Sequence, residues 1–172
     1  MNPVFTIGHS TRSIEDFLEL LQQAGVTTLV DVRRYPGSKR YPHFSSDALA
    51  ERLAESGIGY VHEVDMGGRR KPAADSPNVY WRNEQFRGYA DHMNTPAFRA
   101  ALDRVMQRAE SERQALMCSE AVPWRCHRQL VADALVAHGF EVFDLYDGGR
   151  AEAHRLNPAA RPQPDGVLVY RD

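Results

Sequence analysis

VFTIGHSTRSIEDFLELLQQAGVTTLVDV, residues 4–32, decides the architecture. It opens on a short apolar run, VFTI (4–7), breaks at GHSTRS, and continues with Ile14, Phe17, Leu18 and Leu21 at helical spacing. A second apolar run, TLVDV (28–32), follows. Runs this short and this apolar predict buried strands, and the stretch between them predicts an amphipathic helix. Ser13 supplies an N-cap with Asp16 three positions on, as in a capping box, and Gly25 is placed to end the helix. Strand, helix, strand is a βαβ unit, so the two strands lie parallel and the helix covers one face.

The same grammar continues along the chain. A loop from Arg33 to Phe44 leads to a helix over Ser46–Ser56 closed by Gly57, then to YVHEV (60–64) as a third strand. Residues 65–83 form a long polar connection containing Gly67, Gly68, Pro72 and Pro77, and a connection of that length in an α/β domain is usually functional. Helices are expected over Glu84–Met93 and Pro96–Ala109, the second capped by Thr95 with Pro96 at its first position. QALMC (114–118) reads as a fourth strand, Arg125–His138 as a helix ended by Gly139, and EVFDLY (141–146) as a fifth strand. The expectation is a single three-layer α/β domain over residues 1–146, with a mostly parallel sheet of about five strands flanked by helices. A Pro/Gly-rich tail, 147–172, follows, and VLVY (167–170) is its one candidate edge strand.

Composition narrows the function. With 42% hydrophobic and 26% charged residues over 172 positions, the chain is that of a folded protein. Twenty-one basic against 23 acidic residues leave a net charge of −2, which argues against indiscriminate nucleic-acid binding by the whole surface but allows a local basic patch. Arginine dominates the basic set, lysine occurring only at Lys39 and Lys71, and its planar fork suits phosphate and carboxylate. MNPVFTIGHS lacks the charged start and long apolar core of a signal peptide, and no run is long enough to span a membrane. Two cysteines make no disulfide framework, so a cytoplasmic location is expected.

Ligands of parallel sheets bind beyond the carboxyl ends of the strands. The chemically capable residues fall there: His9 and Ser10 after strand one, Asp31 and Arg33 at the end of strand two, His62 and Glu63 at the end of strand three, Cys118 and Glu120 at the end of strand four. In ALMCSEAVPWRCHRQLVADAL (115–135) a helix start near Arg125, with His127 and Arg128, surrounds Cys118 with positive potential, which favours a thiolate. The strand–loop–helix logic is that of rhodaneses and cysteine phosphatases, but Cys118 to Arg125 is one residue longer than the phosphatase signature, and Glu120 opposes a thiolate by like-charge repulsion. The plainer alternative makes Cys118 and Cys126 small core residues.

Two segments favour anions. RRYPGSKRYPHF (33–44) interleaves four basic residues with Tyr35, Tyr41, His43 and Phe44 and contains no acid; GGRRK (67–71) adds Arg69, Arg70 and Lys71. Solvated arginines lying along their own stems are the alternative. Neither GxGxxG nor GxxxxGK[ST] is present, and the cysteine and histidine spacings match no zinc pattern, so no cofactor and no metal is expected.

TIGHSTRSIEDFLELL, LVDVRRYPGSKRYPHF, GGRR, FRGYADHM and ALMCSEAVPWRCHRQLVADAL together resemble the bacterial and archaeal family catalogued as domain of unknown function 488, over about Val4–Tyr146. The resemblance implies an α/β domain with His9, Ser10, Asp31, Arg33, Cys118, Glu120, Cys126, His127 and Arg128 in its shared motifs, and it implies no reaction. The expected function is an anion-binding site at the carboxyl edge of the strands, belonging to a cysteine-dependent hydrolase or transferase that acts on a phosphate-containing substrate, a nucleotide or nucleic acid, with an anionic small molecule or nucleic acid as partner. In that reading Cys118, His9, Glu120 and Asp31 are catalytic, and Ser10, Arg33, Arg40, Arg69, Arg70, Arg125, His127 and Arg128 hold the substrate. A non-catalytic nucleic-acid-binding module and a thiol redox protein using Cys118 and Cys126 are the alternatives.

Overall fold

The computed structural model describes residues 1–172. Its sheet is built on β1 (Val4–Gly8), buried at every position, with β4 (Gln114–Cys118), equally buried, as its parallel neighbour. Strands covered on both faces have no polar alternation to show, which is why both read as continuous apolar runs. β2 (Thr28–Asp31) and β3 (Gly59–His62) extend the sheet on one side and β5 (Val142–Leu145) on the other, all parallel. The order is β3-β2-β4-β1-β5-β6, β6 (Ala151–Ala153) being an antiparallel edge.

Alternation along the strands assigns the two faces. Phe5, Ile7, Leu29, Ala115 and Met117 join α1 (Ile14–Gln23) and α2 (Ser46–Glu55) through Phe17, Leu21, Leu49 and Leu53. Val4, Val30, Leu116 and Cys118 face the other way, onto α3 (Glu84–His92), α4 (Pro96–Arg108) and α5 (Arg128–Ala137), through residues such as Tyr89, Phe98 and Leu130. Burial of each large apolar side chain contributes roughly 1.5–3 kcal/mol, so the two clusters of 15 and 25 residues hold the layers together. The capping at Ser13 is as expected: its Oγ accepts from the Asp16 N–H at 3.1 Å.

Two expectations are corrected. The extra edge strand is Ala151–Ala153, whose side chains are exposed and give no apolar signal, whereas VLVY pairs in a separate hairpin of β7 (Ala160–Pro162) with β8 (Leu168–Tyr170). Leu168 and Tyr170 of that hairpin are buried in the α3–α5 face; Tyr170 donates from its hydroxyl to Asp133 at 2.7 Å and from its N–H to Asn78 at 2.8 Å. The last helix starts at Arg128 rather than Arg125, because a 3-10 turn over Pro123–Arg125 and an extended Cys126 precede it.

Candidate functional site

β1 and β4 end side by side at the centre of the sheet, with Gly8 opposite Cys118. Their pairing runs on beyond the strands: the N–H of His9 donates to the Cys118 carbonyl, and that of Ser10 to the Ser119 carbonyl, both at 2.9 Å. Gly8 is required there, since a Cβ would coincide with the carbonyl oxygen of Glu120. Above this junction opens a cavity of about 580 Å³, walled by the loops after β1, β2 and β4, by Gly68 and Arg69, and by Gln85, Phe86 and Tyr89 of α3. His9, Ser10, Arg33, Arg40, Arg69, Cys118, Glu120, Arg125, Cys126 and His127 all line it. Asp31, Arg70 and Arg128 do not.

Those three are already occupied. Asp31 is fully buried; it accepts from the backbone N–H of Arg33 and from its Nε and Nη2 at 2.8–3.0 Å, and from the Tyr60 hydroxyl at 2.6 Å. Asp31 is therefore a positioning carboxylate behind the wall rather than a group facing the cavity. Arg33, which also donates to the Phe44 carbonyl, lines the cavity with a head group committed to that pair. Arg70 donates to the carbonyls of Gly67 and Val64, which ties down the 64–70 turn.

Arg128 has the most unusual setting. It is fully buried, and its Nη1 donates to Sγ of Cys118 at 3.0 Å and to the Glu120 carbonyl at 2.6 Å, its Nη2 to the Ala121 carbonyl at 3.2 Å. No carboxylate is bonded to it, and its Nε has no partner. Desolvation, the largest cause, holds its acidity at about 10, below the ordinary value for arginine. With two carbonyls turned inward onto this cation, the loop leaves the N–H groups of Ser119, Glu120, Ala121 and Val122 without an acceptor in the protein. Successive free amides beside a buried cation are a setting for an anion.

The sulfurs of Cys118 and Cys126 are in contact, with their Cα atoms 7.4 Å apart. His127 stands beside them: its Nε2 donates to the Val32 carbonyl at 2.9 Å, which leaves Nδ1 as an acceptor 3.7 Å from Cys126 Sγ. Burial pushes His127 down to about 4, so the ring is neutral near pH 7. His9 is held in the same way. Its ring stacks on Phe44 at 4.5 Å, Nδ1 donates to the Ser10 carbonyl at 3.0 Å, and desolvation pushes it down to about 4. Its Nε2 therefore carries a free lone pair on a ring that is neutral near pH 7 and of lowered proton affinity.

The remaining wall is basic. Arg34, Arg40, Arg69 and Arg125 line the cavity and none pairs with a carboxylate, while Glu120 is the single acid on its surface. Arg34 and Arg69 both lie over the Tyr35 ring, at 5.5 and 5.4 Å, and Arg40 over Tyr41 at 5.5 Å. The chain's two non-glycine residues with left-handed backbone, Ser10 (φ 47°) and Arg69 (φ 61°), are both in this wall, and strain of that kind concentrates at functional sites. Gln85 and Tyr89 escape a reading of the sequence, and Arg34 is counted there only as one of the four basic residues of the 33–44 loop. Tyr89 sits at a core position of its helix and its hydroxyl is spent on the Met66 carbonyl at 2.6 Å, so its pattern is that of any buried aromatic. No three His, Cys, Asp or Glu side chains converge as metal ligands would, and no helix is long and apolar enough to cross a membrane.

The family model described as "Domain of unknown function DUF488" matches residues 13–135. The chain belongs to that family. The DUF488 match covers the wall arginines, α3 and the whole Cys118–Arg128 loop, and begins four residues after His9. No curated protein and no solved structure matches the chain.

Proposed function

We propose that the cavity is the active site of a cysteine-dependent enzyme, a hydrolase or transferase, acting on an anionic, phosphate-bearing substrate such as a nucleotide or nucleic acid. The observation that carries this reading is Arg128. A buried guanidinium needs a counter-charge, and once the Cys118–Cys126 pair is reduced the only ionisable group bonded to this one is the thiol of Cys118, which lines a cavity with five arginines and one carboxylate. With the sulfurs reduced, a cation 3.0 Å from Sγ favours the thiolate. That sulfur attacks the electrophilic centre of the substrate, and the leaving group departs with its bonding pair and takes a proton from solvent. Neutral His9 then deprotonates the acceptor, water or a second hydroxyl, whose oxygen displaces Sγ and restores the thiolate, the proton passing to solvent. Arg40, Arg69 and Arg125 hold the phosphate, and Arg33 holds the wall.

Differential alkylation of the reduced protein tests the proposal. Cys118 is expected to react with iodoacetamide faster than a free thiol near neutral pH, pyrophosphate to slow the reaction, and the protection to disappear in Arg40→Ala/Arg69→Ala. An inert Cys118 removes the nucleophile; reaction without protection removes the shared anion site.

The meeting of the two sulfurs favours a second reading, a thiol redox protein in which Cys118 and Cys126 cycle between dithiol and disulfide. A midpoint between the cytosolic buffers' potentials and full reversibility in glutathione would favour this reading over the first.

A further inference from the structure

The cations do not stop at the cavity. Residues 32–46 and 66–74, the two segments whose inner residues wall it, contain no acid at all, and the only two lysines of the chain, Lys39 and Lys71, both lie in them. Both lysines are exposed, and neither lines the cavity. The second segment is fixed in place: Gly88 of α3 lets the backbone of Arg70 and Lys71 lie directly against that helix, where a Cβ would collide with the Arg70 carbonyl. In a protein of net charge −2, this is a local concentration of positive charge that extends past the pocket.

Exposed aromatics accompany it. Tyr35 is 59% exposed on the cavity wall, and Trp124, 62% exposed, immediately precedes Arg125, another lining residue. A mononucleotide seated in the cavity would use the inner arginines and leave Lys39, Lys71 and Trp124 with nothing to hold. A longer strand uses all of them. Exposed rings stack on unpaired bases, while flanking cations follow the phosphates.

We infer that the ligand is a single-stranded nucleic acid, with one nucleotide entering the cavity between Arg40, Arg69 and Arg125 while its neighbours lie along Lys39, Lys71 and the exposed ring of Trp124. This rests on the proposed cavity as a phosphate site and is independent of the thiol chemistry. Duplex would be bound less well, because its bases are not free to stack on Trp124.

Fluorescence anisotropy of a labelled oligothymidylate measures this, with RNA of matching length, the corresponding duplex and dTMP as the other arms. Five phosphate contacts, from Lys39, Arg40, Arg69, Lys71 and Arg125, give a slope of log K against log salt of about −3.5 at roughly 0.7 per contact. Lys39→Gln/Lys71→Gln should reduce that slope by about 1.4 and weaken oligonucleotide binding more than dTMP binding. Trp124→Ala should weaken the oligonucleotide about tenfold, with circular dichroism and thermal unfolding confirming an intact fold in both variants. Equal affinity of DNA and RNA, or a preference for either, identifies the strand and supports the inference. If dTMP binds as tightly as the oligonucleotide, if duplex matches single strand, or if neither variant changes binding, the polymer reading is overturned while the phosphate site stands. If neither dTMP, pyrophosphate nor any oligonucleotide binds, both readings fall.

Discussion

His154 gives the sharpest prediction about what holds the central strands in place. It lies between two carboxylates, its Nε2 2.8 Å from Asp133 on α5 and its Nδ1 3.7 Å from Asp144 on β5, with its side chain 12% exposed. Burial alone would lower its affinity for a proton, but the hydrogen bonds and charges of Asp133 and Asp144 outweigh it and raise the imidazole from 6.5 to about 9. The folded value lies above the unfolded one, so the contribution is fully present below about pH 6.5 and is lost as pH rises through about 9. The difference corresponds to roughly 3 kcal/mol, an upper figure because the two aspartates share the proton's field. Urea unfolding of the wild type and of His154→Gln at several values between about pH 6 and pH 10 isolates it. The stability gap between the two proteins should be widest at the acid end and close toward the alkaline end. A gap that stays constant across the range, or widens with pH, refutes the assignment of a protonated His154 in this network. The consequence reaches the site: Asp144 is engaged by His154 and Thr6, which leaves Arg128 with the thiol as its bonded ionisable partner.

Two further outcomes follow from the geometry. Gly8→Ala places a methyl group on the Glu120 carbonyl, so the loop must leave Arg128; a loss of about 1–3 kcal/mol in thermal unfolding, together with slower Cys118 alkylation, is expected, and an unchanged protein would show that β1 and the loop are not in contact. Arg33→Lys keeps the charge but loses the paired bonds to Asp31, which should cost about 3 kcal/mol in urea unfolding while weakening pyrophosphate binding less than Arg40→Ala does. The reverse ranking would make Arg33 a ligand of the substrate.

Much of this arrangement was legible in the residues. The strand-end rule gathers His9, Ser10, Arg33, Cys118 and Glu120 on one edge, because parallel strands send all their carboxyl ends to the same side. It cannot distinguish a group that faces outward from one that is used inward. Asp31 and Arg33 satisfy each other, Arg70 is spent on carbonyls, and Arg128 backs the loop instead of walling the cavity, all decisions made by side-chain direction one residue at a time. Residues 147–172 misled through composition: proline and glycine marked them as a tail beyond the 1–146 domain, but Tyr170 and His154 carry the buried polar network that fastens them to α5. Exposed Ala151–Ala153 offers no periodic pattern from which an edge strand could be read.

The central claim is that Arg128 holds Cys118 as a thiolate, and the thiolate's ultraviolet absorbance measures it directly. In reduced Cys126→Ser protein, where Cys118 is the only thiol, absorbance should develop at a pH clearly below the ~8.5 of an ordinary cysteine and move upward in Arg128→Met, with Arg128→Lys between the two. A thiol that ionises at or above the ordinary value, indifferent to the residue at position 128, would contradict the account.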